Sequence, residues 1–462
     1  MRVEMPFGET TIQAELPDDT FVIPAGGVKT QFEPIDDLAG AVDAALANPL
    51  DSKPIRDLVG PGSTVAIAFD DPTAPCFSSL RGIAIKAVLA ELDAAGVARE
   101  SVTLICANAL HRKFRPEELA TIIGDDLVRE FGDRLVCHDA EDADNLVYLG
   151  ETEHGYDVEV SRHVTDSDLL VYITSYHGRG FSGGWKSVCV GLSTWRSIRH
   201  HHTPDGMSMS IQNNQMHVML DEMGKHLESK IDTPIFKIDA IEVNAFQTSK
   251  IFAGSVWGCR RAVLEILEKQ FPPRRNLSKE KYDVVVYGLP DWSPYAIFSH
   301  MNPTLTLISS GLGYLGGTIQ ALGKPGCTVI MATPCPERWD RVHHPSYPDV
   351  WENVLSQCLD PYEIEREYTD RYLSNESYID LYRNHYAFHP VHGILATHPL
   401  RRLKHAGTVI VAGIEDPAIA KHLGYEATAT VEEALELAAD IHGAGFSCTY
   451  AQHPATYTKT TM

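Results

Sequence analysis

Apolar runs that end in polar residues alternate with amphipathic stretches along the first half of the chain. The runs predict buried strands, and the amphipathic stretches predict helices. The expected strands are residues 10–16, 21–24, 63–69, 102–109 and 168–175, and the expected helices are 79–95 and 116–123. Strand–helix–strand order with polar residues at the strand ends is typical of an open α/β sheet, which binds ligands outside the carboxyl ends of its strands.

The same rhythm restarts after a proline-rich, charged stretch at 270–281, which is the predicted linker. Strands are expected beyond it at 283–287, 327–332 and 407–412, and helices at 304–310, 350–358, 392–403 and 431–441. We therefore predict two α/β domains with mainly parallel open sheets and an active site in the crevice between them. The predicted division is a cofactor-binding and catalytic domain at 1–272, a second α/β domain at 282–430, and a terminal helix and tail at 431–462.

Composition limits the classes of function. A chain of 462 residues with 44% hydrophobic and 22% charged residues is globular and too long for one core. The net charge of −23 disfavours nucleic acid and anionic membranes as partners. We see no apolar run of about 18 residues and no signal peptide. The nine cysteines form no CxxC pair, so we expect a cytoplasmic protein.

Three polar clusters follow three of the expected strands. Asp70-Asp-Pro-Thr73 ends the first, Leu110-His111-Arg112 the second and Tyr176-His177 the third. Either histidine alone could be structural. Two histidines at one edge of a sheet would face a common crevice, and imidazole suits proton transfer near neutral pH.

A glycine-rich segment at 178–187 follows His177 and contains Lys186. It differs from the phosphate-binding P-loop because Trp185 separates the last glycine from the lysine. A lysine against a glycine-rich, aromatic turn can be desolvated and nucleophilic, so covalent attachment of a cofactor is chemically feasible. A flexible surface loop is the alternative interpretation.

Three consecutive histidines lie at 200–202. Imidazole binds zinc, copper, iron and nickel, so the triplet alone does not identify a metal. A solvated polar turn is the alternative here.

Taken together, these motifs resemble the nickel-dependent lactate racemase family. The family pattern is Asp-x-Thr-Arg-Pro, Thr-His-Arg, Pro-His, Gly-Phe-Ser-Gly-Gly-x-Lys and Thr-Ile-x-x-Asn-His. The matching segments here are Asp71-Pro-Thr-Ala-Pro75, Leu110-His111-Arg112, Tyr176-His177, Gly180-Phe-Ser-Gly-Gly-Trp-Lys186 and Ser197-Ile-Arg-His-His-His202. The likeness covers most of the chain and is stronger in the first half.

The resemblance implies a nickel-pincer nucleotide, the nickel complex of pyridinium-3,5-bisthiocarboxylic acid mononucleotide, attached covalently to Lys186. It implies that His202 binds the nickel, and that His111 and His177 act as acid and base on opposite faces of a 2-hydroxy acid. Cofactor-biosynthesis proteins are implied as partners. The further cofactor-binding residues that it implies are Asp71, Thr73, Ser182, Gly183 and Gly184.

One departure from the family pattern bears on the substrate. The family arginine that binds the substrate carboxylate is replaced by Ala74, and alanine cannot form a bidentate contact with an anion. Arg179 is our first candidate for a replacement and His300 a second; Arg112 and Lys113 are also near in sequence. We therefore predict a racemase or epimerase of a 2-hydroxy acid other than lactate.

Two other functions remain open. A non-catalytic cofactor- or nucleotide-binding homologue would need neither His111 nor His177. A metal hydrolase built on the histidine triplet would need carboxylate ligands, and Asp205 is the only one close in sequence.

Overall fold

The computed structural model describes residues 1–24, 32–74, 76–176, 182–206, 214–270 and 277–453. These residues form two compact units. The N-terminal unit contains the described residues of 32–270 together with 382–386. The C-terminal unit contains 1–24, 277–381 and 387–453.

The strands and helices are numbered in chain order over the described residues. The strands are β1 (Arg2–Phe7), β2 (Thr10–Glu15), β3 (Phe21–Ile23), β4 (Val65–Asp70), β5 (Val102–Ala107), β6 (Leu135–Cys137), β7 (Leu146–Glu151), β8 (Asp157–Ser161), β9 (Leu169–Tyr176), β10 (Ile235–Asn244), β11 (Gln247–Ser255), β12 (Tyr282–Gly288), β13 (Gly323–Ala332), β14 (Ala406–Ala412), β15 (Glu426–Thr428) and β16 (Cys448–Ala451). The α-helices are α1 (Leu38–Ala47), α2 (Leu80–Ala94), α3 (Pro116–Ile123), α4 (Asp125–Phe131), α5 (Arg162–Thr165), α6 (Lys186–Cys189), α7 (Trp195–Ile198), α8 (Gln215–Glu228), α9 (Val256–Gln270), α10 (Gly317–Leu322), α11 (Ser346–Val350), α12 (Pro361–Leu373), α13 (Glu376–Asn384), α14 (His392–Leu395), α15 (Pro417–His422) and α16 (Val431–His442). Two π-helices span Thr304–Tyr314 and Trp351–Leu355, and 3₁₀ turns include His398–Lys404.

The sheet of the N-terminal unit has the strand order β11-β10-β9-β4-β5-β6. Its strands are parallel except for the hairpin partner β11. Strands β4 and β9 are central and almost completely buried, as expected for apolar runs covered on both faces. Because β4, β5 and β9 are adjacent and parallel, their carboxyl ends meet at one edge, where the three polar motifs begin.

The C-terminal unit contains a fully parallel sheet with the order β15-β14-β13-β12-β16-β3. Strand β3, at residues 21–23, pairs with β16, at residues 448–451. The antiparallel hairpin β1–β2 packs into the same core, where Met5 and Ala14 contact a cluster that includes Val286, Ile410 and Tyr450. A single unit therefore joins the two ends of the described chain.

The prediction of a mixed α/β fold with mainly parallel sheets is confirmed. The grouping of segments departs from the division at 1–272, 282–430 and 431–462, because 1–24 and 431–453 both belong to the C-terminal unit. A short strand carries no information in its own sequence about which distant strand it pairs with. Residues 271–276 of the predicted linker lie outside the described residues.

Several element bounds also match the expectations closely. The helices expected at 79–95 and 116–123 correspond to α2 and α3. The helices expected at 304–310 and 350–358 correspond to the two π-helices. None of the helices within the described ranges is long and apolar enough to cross a membrane.

The first prediction concerns His138, a buried histidine of the N-terminal unit. His138 follows β6, is 4% exposed, and donates from Nε2 to the carbonyl of Ser193 at 2.8 Å. Burial lowers its pKa to about 4 from 6.5, so the unfolded chain binds the additional proton between these values. Stability therefore falls as the pH decreases from 6.5 towards 4, with a loss of about 2 kcal/mol from this residue by about pH 5.

His138→Gln keeps a hydrogen-bond donor that cannot titrate. We expect its urea midpoint to depend less on pH than that of the wild type over this range. The control is His154→Gln at an exposed histidine, which should leave the pH dependence unchanged. Equal slopes for His138→Gln and wild type would contradict the assignment.

Candidate functional site

A cavity of about 70 Å³ lies at the carboxyl edge of the N-terminal sheet. Its walls come from the ends of β4 and β5, from β9, and from the segment around α6. The lining residues are Asp70, Asp71, Thr73, Ala74, Ala107, Ala109, His111, Tyr172, Ser182, Gly183, Lys186, Ser187, Val190 and Gly191. Three of the motifs found in the sequence therefore meet in one place.

Asp71, Thr73 and His111 form a hydrogen-bonded group in this cavity. The Nδ1 atom of His111 lies 2.8 Å from Oδ2 of Asp71 and 3.1 Å from Oγ1 of Thr73. The Thr73 hydroxyl donates to Oδ1 of Asp71 at 2.6 Å. The carboxylate thus accepts bonds on both oxygens, and the His111 proton is held on Nδ1, which leaves the lone pair of the neutral ring on Nε2.

The electrostatics of Asp71 favour its ionised form. Burial would raise the pKa of Asp71, whose side chain is 5% exposed. The charge and hydrogen bond of His111 and the hydrogen bond from Thr73 outweigh burial, and the pKa is lowered. An ionised Asp71 orients the imidazole and stabilises it when it accepts a proton.

Lys186 begins α6, and its side chain reaches the same cavity. Burial lowers the pKa of Lys186 because it disfavours the ammonium form, although the charges of Asp70 and Asp71 act in the opposite direction. A lysine with a lowered pKa has a larger fraction of neutral amine near pH 7, and the neutral amine is the nucleophile.

Asp70 differs from Asp71 in the direction of its pKa shift. Its carboxylate accepts a hydrogen bond from the Tyr172 hydroxyl at 3.1 Å and from the Ser175 backbone N–H at 3.2 Å. Burial nevertheless raises the pKa of Asp70, against the charges of Arg81, Lys237 and Lys186. Two adjacent carboxyl groups thus have pKa values shifted in opposite directions.

A second lysine lies fully buried beneath the cavity. The Nζ atom of Lys237 donates to Oγ of Ser187 at 2.5 Å and to Oγ1 of Thr174 at 2.8 Å. It also lies 3.2 Å from Oδ1 of Asp239 and 4.3 Å from the centre of the Tyr172 ring. One ammonium therefore connects β9, β10 and α6, and it fixes the residue that follows Lys186.

The glycine turn before Lys186 is shaped around Tyr176. The Tyr176 hydroxyl donates to Oδ2 of Asp239 at 3.0 Å and accepts the backbone N–H of Gly184 at 3.1 Å. A Cβ atom on Gly183 would lie 1.7 Å from that hydroxyl, and Gly183 has a φ of +74°, so the position requires glycine. Arg260 donates to the carbonyl of Ser182 at 2.7 Å.

The histidine triplet is held by two different contacts. Nε2 of His200 lies 2.9 Å from the Asp157 carboxylate, which also accepts a bond from Arg199 at 2.6 Å. The Nδ1 atoms of His201 and His202 are 2.8 Å apart. The pKa of His201 is lowered to about 3, mainly by burial and further by the charges of His200 and Lys186. The charge of Lys186 therefore acts on the triplet.

The three histidines do not form a ready-made metal cage. Over the described ranges, no group of three or more His, Cys, Asp and Glu side chains is placed to hold a metal ion. His202 does not line the cavity. A hydrolase that uses three protein ligands gains no support from the arrangement of these described residues.

Four further residues were predicted to belong to the site. His177 and Arg179 lie outside the described residues. His300 belongs to the C-terminal unit, where it lines a separate cavity with Asp291 and Arg338. Gly184 supports the turn through its hydrogen bond to Tyr176 and does not line the cavity.

The other cations considered as replacements for the family arginine have structural partners. Arg112 is 1% exposed and binds Glu118 through both terminal nitrogens at 2.9 and 2.8 Å. Lys113 donates to Asp139 at 2.8 Å and to the carbonyl of Arg383 at 2.7 Å. Arg81, fully buried at the start of α2, donates to the carbonyls of Ala74 and Cys76 and thereby supports the Ala74 turn.

Several residues that shape the site were not expected from the sequence. They are Tyr172, Ser187, Lys237, Asp239, Arg260 and Arg81. A signal was present for two of them, because Lys237 and Asp239 interrupt an apolar strand two positions apart and so share one face. Charged residues within such a strand indicate a buried pair.

Comparison with known proteins agrees with these motifs. Residues 7–215 match the lactate racemase N-terminal domain family. The lactate racemase of Thermoanaerobacterium thermosaccharolyticum is 27% identical over 228 residues, and that of Lactiplantibacillus plantarum is 25% identical over 227. Each alignment covers 46% of this chain and 51% of the relative, so the chain spans about half the length of the curated relatives it matches.

Solved structures extend the likeness in fold to nearly the whole chain. The lactate racemase apoprotein of T. thermosaccharolyticum superposes with a TM-score of 0.69 at 19% identity and covers 98% of both chains. A protein from Thermotoga maritima superposes with a TM-score of 0.53 at 14% identity, covering 91% of this chain and 97% of its own. At these identities the structures establish the fold, and the domain and sequence matches show that residues 7–215 are similar to the N-terminal domain of lactate racemases.

Proposed function

We propose that this protein is a racemase or epimerase of a 2-hydroxy acid other than lactate, and that it works with a nickel-pincer nucleotide bound to Lys186. The observation that carries the proposal is the meeting of Lys186 with the Asp71–Thr73–His111 group around one cavity. An amine with a lowered pKa and an oriented imidazole are the two groups that such an enzyme requires at one site.

The residues around the cavity suit a covalently attached nucleotide. Lys186 supplies the amine, and Thr73, Ser182 and the backbone at Gly183 offer polar contacts beside it. His202 is the proposed protein ligand of the nickel. When bound, the nickel group supplies hydride transfer to and from the substrate carbon, chemistry that no side chain can perform.

Proton transfer at the substrate hydroxyl is assigned to the protein. His111 takes the hydroxyl proton through Nε2, because its Nδ1 proton is held by Asp71. The ionised carboxylate then stabilises the imidazolium and favours return of the proton. His177 is proposed as the corresponding group for the opposite face, since racemisation needs one base for each enantiomer.

Ala74 determines the proposed choice of substrate. It lines the cavity beside His111 without offering a charge, and Arg112 and Lys113 are bound to other groups. A small acid such as lactate has little beyond its carboxylate and hydroxyl to bind. A larger hydroxy acid recovers affinity through its other groups and fills the volume that the missing arginine leaves.

The His111 group also favours an enzyme over a cofactor carrier. A carrier needs Lys186 but has no use for an imidazole oriented by a buried carboxylate. Proteins that make the cofactor are the proposed partners for loading Lys186.

Loading of Lys186 gives the second prediction. Lys186→Arg keeps the positive charge but cannot be acylated, so protein from a cofactor-producing host should lack the mass adduct that the wild type carries. His202→Ala should keep the adduct and lose nickel, measured by elemental analysis. His200→Ala is the matched control and should keep both, because Asp157 holds His200.

A measurement on cofactor-free protein tests the same residue independently. Acetic anhydride should label Lys186 at lower pH than the exposed Lys269, because burial lowers the pKa of Lys186. An adduct that persists in Lys186→Arg would refute the assignment of the attachment site.

The third prediction concerns His111. His111→Gln should keep adduct and nickel yet lower turnover by about 10²- to 10⁴-fold, the usual effect of removing a general base. Asp71→Asn should also lower turnover, since it disturbs the tautomer. His154→Gln is the control, because His154 forms a similar 2.8 Å contact with Glu222 at the surface. Unchanged turnover in His111→Gln would exclude it as the base.

The fourth prediction concerns the substrate. Loaded wild-type enzyme should exchange deuterium at C2 of aromatic, dicarboxylic or sugar acids faster than at C2 of lactate. Ala74→Arg should raise kcat/KM for lactate relative to the larger acids by roughly 10- to 100-fold, the range expected for a charge-assisted hydrogen bond. Ala74→Leu is the control: it adds bulk without charge, so it should not raise kcat/KM for lactate relative to the larger acids. Rapid racemisation of lactate by the wild type, with larger acids inert, would overturn the proposal.

A further inference from the structure

Two cysteines lie side by side next to the cavity. Cys106 in β5 and Cys137 in β6 are register partners in parallel strands. Neighbouring strands lie about 4.8 Å apart, which is within the range of about 4.4–6.8 Å between the Cα atoms of a disulfide. Their backbone positions therefore permit a bond between them.

The two thiols differ in exposure and in electrostatic surroundings. Cys137 is partly exposed on the edge strand of the sheet, whereas Cys106 is buried. The Sγ atom of Cys137 accepts the backbone N–H of Phe114 at 3.4 Å. A hydrogen bond from Cys106, with smaller effects of the Phe114 backbone and the Lys113 charge, lowers the pKa of Cys137 against the opposing effect of burial. Burial raises the pKa of Cys106. A partly exposed thiol with a lowered pKa beside a second thiol is typical of redox-sensitive pairs.

The pair is also connected to the candidate site. Cys106 immediately precedes Ala107, which lines the cavity. Phe114, which contacts Cys137, lies three residues after His111. A bond between the two cysteines would therefore tie together the segments on either side of His111.

We propose that Cys106 and Cys137 form a peroxide-reactive dithiol that closes an intrachain disulfide. The Cys137 thiolate attacks a peroxide oxygen, which leaves a sulfenic acid on Cys137 and releases the other oxygen as water after protonation. The Cys106 sulfur then attacks the sulfenic sulfur and releases a second water. Two thiols are oxidised by two electrons in total, and one hydrogen peroxide is reduced to two waters. This proposal does not depend on the proposed racemase activity.

The test uses the reduced full-length protein and hydrogen peroxide. We expect two alkylatable thiols to disappear together, with a mass loss of two hydrogen atoms that dithiothreitol reverses. Peptide mapping without reductant should show the segment with Cys106 joined to the segment with Cys137. In Cys137→Ser, the loss of the Cys106 thiol should be at least about tenfold slower.

Matched variants separate the steps. Cys106→Ser and Cys106→Ala should each leave a sulfenic acid on Cys137, which dimedone traps. The same result in both variants would exclude a folding defect in one of them as its cause. Cys358→Ser removes the other partly exposed cysteine in the described part of the chain and should not affect the cross-link. Direct oxidation of Cys137 to sulfinic acid in the wild type, with Cys106 still alkylatable after denaturation, would overturn the proposal.

Discussion

Charged groups buried beneath the carboxyl edge of a parallel sheet are the constraint on which the candidate site depends. Removing an ion from water costs several kcal/mol, so each of these groups must be paired. Lys237 illustrates the solution, because its ammonium is shared among Thr174, Ser187 and Asp239. The same contacts fix α6, and with it the position of Lys186. The pairing that makes the buried charge tolerable therefore also orients the candidate attachment residue.

The contacts around the cavity also shift the pKa values of two adjacent carboxyl groups, Asp70 and Asp71, in opposite directions. Asp71 receives His111 and Thr73 and is held ionised, whereas burial dominates at Asp70 and raises its pKa. The difference arises from partners on neighbouring strands and turns, since the residue type is the same. Two groups of one chemical kind can thus take different roles within one cavity, which is a common feature of catalytic sites.

The replacement of an arginine by Ala74 is accommodated within the same network. Arg81 lies beneath the turn and binds its carbonyl groups, so the turn keeps a supporting cation although the side chain at position 74 carries none. The part of the site that would hold a cofactor retains the family pattern, while the part that would bind the substrate carboxylate has changed. This division is the basis on which we propose a 2-hydroxy acid other than lactate as the substrate.

The sequence by itself determined the fold class and several of the residues that line the candidate cavity. Buried parallel strands appear as continuous apolar runs, and polar residues at their ends mark the binding edge, so Asp71, His111 and Lys186 could be found from local pattern and motif spacing. Only the tertiary structure decided that residues 1–24 join the C-terminal unit, that Lys237, Asp239 and Tyr176 support the glycine turn, and that Cys106 faces Cys137. Each of these depends on pairing between segments far apart in the chain. The physical reason is that local sequence specifies which face of a strand is apolar, whereas the choice of partner strand depends on the packing of the whole unit.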